Sequence, residues 1–115
     1  MWSQDQLQNT EQMTPAERLH QMLRGFDITQ LIYIVAKLGV ADHLKDGPRS
    51  SGELARAVGA DPRALYRVLR AVASIGILAR KGRDRFELAP LGELLRTGVP
   101  NSMRASAIMW GEEWS

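Results

Sequence analysis

The sequence predicts a mainly α chain organised as a winged helix-turn-helix, with a small β-hairpin as the wing and further helices flanking it. Three observations carry this reading. RSSGELARAVGADPRALYRVLRAVASIGIL (49–78) contains two helix starts and two glycine stops in helix-turn-helix order. ARKGRDRFELAPLGELLRTG (79–98) contains a hairpin followed by a helix restart. DITQLIYIVAKLG (27–39) is apolar on nearly every side.

Residues 1–14 show no periodicity and read as a flexible arm, with Trp2 as its apolar anchor. Thr14, Pro15 and Glu17 then supply a capping hydroxyl, a proline suited to the first helical position and a carboxylate at the positive end of the helix dipole. A helix over 15–24 is expected, ending near Gly25, and a second over 27–38. A domain this small rarely encloses such an apolar helix with its own atoms. Part of its surface, with Ile28, Leu31, Ile32 and Val35 as the interface candidates, therefore calls for a second subunit.

Gly39 stops that helix, and VADHLKDGP makes a short helical turn before a Gly-Pro break. Ser50 and Glu53 form a capping box for a helix over 51–58, closed by Gly59. Asp61 and Pro62 open a helix over 62–75 that separates into an arginine face (Arg63, Arg67, Arg70) and an apolar face (Leu65, Val68, Leu69, Val72, Ile75). The hairpin lies between 77 and 88, around Lys81-Gly82-Arg83-Asp84. Ala89-Pro90 restarts a helix over 91–96, which Gly98 and Pro100 end. Asn101 or Ser102 caps a last helix over 102–113, where Met103, Ala107, Trp110 and Trp114 fall on one stripe.

At 115 residues the chain has room for one domain and none for a second nucleotide-binding unit. Fifteen Lys and Arg against thirteen Asp and Glu leave a net charge of only +2, so bulk charge does not argue for nucleic acid. The lack of cysteine points to a reducing compartment and hence the cytoplasm. The polar amino terminus resembles neither a signal peptide nor an anchor, and no stretch is long enough to span a bilayer.

No catalytic, cofactor-binding or metal-binding set is visible: His20 and His43 stand far apart in sequence, and the glycines stop helices without forming a phosphate loop. Two groups keep two readings each. Arg63, Arg67 and Arg70 with Arg80, Lys81, Arg83 and Arg85 suit either a DNA-binding regulator or a solvated basic face that Asp61, Asp84 and Glu87 dilute. Met103, Met109, Trp110 and Trp114 suit either ordinary core or the wall of a ligand pocket.

The order of segments is similar to the amino-terminal dimerisation domain of class I S-adenosylmethionine-dependent O-methyltransferases acting on small molecules, of the plant phenolic and bacterial polyketide type. The most specific pieces are A-x-x-L-G-V-A-D-H-L from Ala36 and Asp61-Pro62 with the L-Y-R-V-L-R-A-x-A-S-I-G run from Leu65. The resemblance implies a winged-helix dimerisation domain over 15–100, with 101–115 starting a linker helix towards a catalytic domain that these residues do not include. It implies a homodimer, S-adenosylmethionine as cofactor of the full-length enzyme, and a small-molecule hydroxyl acceptor whose pocket Met103, Met109, Trp110 and Trp114 would line. The 115 residues alone are then expected to be inactive, with no DNA or membrane partner. Ala89 departs from the family, which commonly has Thr before this proline.

Overall fold

The computed structural model describes residues 14–113. The arm expected over 1–14 therefore lies outside the described residues except for Thr14, and Trp114 lies outside them too. Thr14 caps α1 (Pro15–Leu38) through the reciprocal box the sequence suggests: its Oγ1 accepts from the Glu17 backbone N–H at 3.2 Å, while Glu17 Oε2 accepts from the Thr14 N–H at 3.1 Å.

α1 is one continuous helix of 24 residues, where the sequence suggested two. Gly25 does not stop it. A glycine inside a helix costs only about 1 kcal/mol relative to alanine, which a helical ladder on both sides readily offsets. A true stop needs a left-handed backbone, and Gly39 supplies one, with φ 73°.

α2 (Val40–His43) buries Val40 and Ala41. β1 (Arg49–Ser50) leads into α3 (Ser51–Val58), whose Ser50–Glu53 box forms as expected. α4 (Pro62–Ser74) starts at Asp61, whose Oδ2 accepts from the Ala64 N–H at 2.9 Å. It turns Leu65, Leu69 and Val72 inward and leaves Arg63, Arg67 and Arg70 exposed, the two faces read from the spacing.

The hairpin forms from β2 (Leu78–Arg80) and β3 (Arg85–Leu88), paired antiparallel with Leu78 opposite Leu88 and Arg80 opposite Phe86. β1 adds to its other edge, giving a three-stranded sheet in the order β1-β3-β2. Two residues are too few for a strand to announce itself by alternation, so β1 comes from tertiary pairing and not from local pattern.

α5 (Pro90–Glu93) is shorter than the 91–96 expected, and its cap residue Ala89 offers no side-chain hydrogen bond. The chain still coils onward, with N–H groups of Leu94, Leu95 and Arg96 donating to carbonyls three residues back. This is the tight ending common at helix termini. Gly92 is buried against Ile77, and only glycine fits there because an added Cβ would overlap the Ile77 carbonyl.

α6 (Arg104–Glu113) begins two residues later than expected, with Ser102 Oγ accepting from the Arg104 N–H at 3.4 Å. It packs antiparallel along the carboxyl half of α1. Gly111 allows the approach, since an added Cβ would strike the Tyr33 ring. Phe86, Leu54, Leu69, Leu78, Val35, Val40 and Val72 form the innermost core, with Leu44, Leu65, Ile77 and Leu95 around them.

Among the described residues no helix is long and apolar enough to cross a membrane.

Candidate functional site

Between α1, α5 and α6 lies an open apolar groove of about 360 Å³. α1 contributes Thr29 and Ile32, the segment from Ile77 to Leu95 contributes Leu91 and Leu94, and α6 contributes Met103, Ala107 and Trp110. Positions 103, 107 and 110 share one helical face, which is why the stripe visible in the sequence becomes one wall.

Met103 and Trp110 remain 53% and 52% exposed, so the groove leaves much of both side chains uncovered. Its polar contributions are the hydroxyls of Thr29 and Ser106, and among the described residues no titratable side chain lines it. Such a surface can hold an apolar ring. It cannot move a proton.

The structure divides the candidates read from the sequence. Met103 and Trp110 come together in the groove. Met109 points elsewhere, into a shallow hollow with Ala105, Ile108, Glu112 and Glu113.

The interface candidates divide as well. Val35 is 1% exposed and belongs to the chain's own core, so its burial needs no second subunit. Leu31 and Ile32 are half-buried against that core, and Ile32 also faces the groove. Ile28 is half-buried. Among the described side chains of α1, the large apolar ones left open are Leu19, Met22 and Leu23, at 59%, 73% and 58% exposure. Their 19-22-23 spacing was a usable signal, overshadowed by the denser apolar run that follows it.

α6 is held at both ends. Near its start Arg104 Nε donates to the Ala36 carbonyl at 2.8 Å, at the end of α1, and Arg104 Nη1 donates to Thr97 Oγ1 at 3.1 Å. The Thr97 hydroxyl and N–H both donate to Asp42, at 2.7 and 2.8 Å. Burial acts to raise the Asp42 carboxyl, but those two bonds and the Arg104 charge outweigh it and hold the group below the ordinary aspartate range.

Near the other end Lys37 Nζ meets Glu112 Oε2 at 2.7 Å, and the Tyr33 hydroxyl donates to the same oxygen at 3.3 Å. This pair raises the Lys37 ammonium and lowers the Glu112 carboxyl.

Part of the basic surface is engaged within the fold, while Arg63 and Arg67 stand exposed on α4. Arg80 Nη2 donates to the Arg83 carbonyl at 2.6 Å, and Lys81 pairs with Glu87 at 3.3 Å. Arg85 donates to the Pro48 carbonyl at 3.0 Å, and Arg70 lies over the Tyr66 ring at 5.7 Å. His20 is exposed on α1 and His43 half-buried on α2. Among the described residues no group of three or more His, Cys, Asp or Glu could hold a metal ion.

Comparison with known proteins places this architecture. The model of the O-methyltransferase dimerisation domain matches residues 20–98. The phenazine O-methyltransferase PhzM of Lysobacter antibioticus is 48% identical over 95 residues, which cover 83% of this chain and 28% of that protein. The crystal structure of the N,N-8-amino-8-demethyl-D-riboflavin dimethyltransferase RosA from Streptomyces davawensis superposes with a TM-score of 0.80 at 45% identity, covering 87% of this chain and 30% of that one. CalO1, a methyltransferase in calicheamicin biosynthesis solved with SAH bound, superposes with a TM-score of 0.75 at 38% identity, covering 85% and 30%. The chain thus spans less than a third of each of these relatives. By the extent of these matches, the chain belongs to the O-methyltransferase dimerisation domain family.

Proposed function

We propose that this chain gives a small-molecule methyltransferase its dimer interface and one wall of its acceptor pocket, with S-adenosylmethionine as methyl donor in the full-length enzyme. The observation that carries the reading is the groove, in a chain of this family: Met103 and Trp110 stand half-exposed over an apolar floor whose described residues include no group able to transfer a proton. A flat aromatic acceptor suits such walls, because stacking on Trp and Met contributes binding without fixing chemistry. The names of the relatives carry both O- and N-methylation, so the reading does not choose the acceptor atom.

The test is Trp110→Ala in the full-length enzyme, with acceptor and donor kinetics measured separately. A pocket wall requires the acceptor KM or kcat to suffer while donor affinity holds. An unchanged acceptor profile returns Trp110 to a packing role. The 115 residues alone are expected neither to bind the donor nor to transfer a methyl group.

The regulator reading is disfavoured because Arg80 and Lys81 already serve the hairpin's own contacts and Arg85 ties it to the Pro48 carbonyl. Duplex DNA is expected to bind at physiological salt no better than to any weakly basic surface. Tight sequence-specific binding with a steep salt dependence would replace the present reading.

A further inference from the structure

We propose that Asp42, Thr97 and Arg104 form a polar relay whose role is to position the Met103–Trp110 wall of the groove; the functional meaning of that wall rests on the acceptor-pocket reading above. The three residues come from α2, the loop after α5 and the first turn of α6, and their hydrogen bonds run in one direction. The Arg104 guanidinium donates to Thr97 Oγ1, and the Thr97 hydroxyl in turn donates to Asp42 Oδ2. The Thr97 hydroxyl has a single proton, so accepting from Arg104 and donating to Asp42 uses it in the one orientation that satisfies both charges.

The same guanidinium donates to the Ala36 carbonyl, in the last turn of α1. Carbonyls there meet the negative end of the helix dipole, which favours a cation. Arg104 thereby ties α6 to α1 and, through Thr97, to α2.

The link to the groove is short. Met103 precedes Arg104 in the chain, and its N–H donates to the Leu94 carbonyl at 2.6 Å, while the side chains of Met103 and Leu94 both face the groove. Trp110 follows Arg104 by six residues on α6, about 9 Å along its axis. Moving the first turn of α6 therefore moves both large side chains of the wall together. None of the three relay residues lines the groove, so they are positioning residues that act through Met103 and Trp110.

The experiment uses the 115-residue chain, labelled with 13C at methionine methyls, as wild type, Thr97→Val and Thr97→Ser. Thr97 is exposed, so neither substitution empties the core. In Thr97→Val the α6 amides should exchange roughly tenfold faster, the size expected when a hydrogen bond to a charged group is lost, with α4 amides unchanged. The Met103 methyl resonance should shift, and its half-saturation by 2-naphthol, used as an aromatic probe, should rise about threefold or more. Thr97→Ser keeps the hydroxyl and should restore all three readouts.

If Thr97→Val matches the wild type in α6 exchange and in naphthol response, or if Thr97→Ser behaves like Thr97→Val, the relay is overturned. A wild-type Met103 methyl that never responds to 2-naphthol sinks the acceptor-wall reading instead. In that case the exchange comparison with its serine rescue still decides the relay.

Discussion

The two halves of α1 are one helix with opposite fates. From Thr14 to Leu23 every side chain is exposed, including Leu19, Met22 and Leu23, whereas Val35 and Ala36 near the other end are 1% exposed. Both halves are apolar enough to demand cover. Among the described residues only the second finds it, between α6 on one side and the α4 face on the other. Apolar content sets how much surface a helix must hide, while the surrounding topology sets which part of it remains for a partner.

Breaking this contrast should have its largest effect on assembly. Leu19→Asp with Leu23→Asp removes two side chains worth about 1.5–3 kcal/mol each when fully buried, so self-association should weaken by roughly a hundredfold or more. Sedimentation across a concentration series would read this, with circular dichroism unchanged. A double variant that associates like the wild type would move the interface off this half of α1.

Val35→Ala sharpens the opposite side. It should lower folding stability by about 2 kcal/mol in urea melts, as expected for a core truncation, whatever the protein concentration. A loss that vanishes on dilution would instead tie Val35 to the interface the sequence suggested.

Gly111→Ala comes next, because its Cβ would strike Tyr33 and push α6 from the carboxyl half of α1. A cost of about 1–3 kcal/mol is expected, visible in the melting temperature. Gly25→Ala tests the boundary between the halves. Among the described residues nothing lies within 4 Å of the added carbon, so the monomer should gain up to about 1 kcal/mol. If a second copy packs closely there, the same change should weaken association.

The smallest effect expected is with pH. Asp42 is held below the ordinary aspartate range, so its contribution is fully present above that range and fades as pH falls through its lowered folded value. Melting temperature in mildly to strongly acidic buffers should drop less steeply in Asp42→Asn than in the wild type. Parallel curves would remove Asp42 from the acid response.

The elements read from local chemistry reappear where that chemistry is self-contained. The Thr14–Glu17 and Ser50–Glu53 boxes, the Asp61 cap and the left-handed Gly39 and Gly59 each act within a few residues of chain, so their spacing is enough to place them. The fold class, the two faces of α4 and the Met103–Trp110 stripe follow from the same short-range rules.

Other features depend on distant partners and are settled only by packing. Gly25 has the residue type of a stop but the backbone of a helix interior, because the conformation at a glycine is chosen by its surroundings. β1 exists because β3 is there to pair with it. Met109 shares its composition with the groove residues but faces away, since its position on the helix is rotated from theirs.

The sequence by itself determined the caps at Thr14, Ser50 and Asp61, the stops at Gly39 and Gly59, and which sides of the helices are apolar. The tertiary structure decided which of those sides are covered: α6 and α4 cover Val35 and its neighbours, and Leu19, Met22 and Leu23 are left open. The physical reason is range. Capping and periodicity act over a turn of helix, whereas burial depends on segments that meet only after the chain has folded.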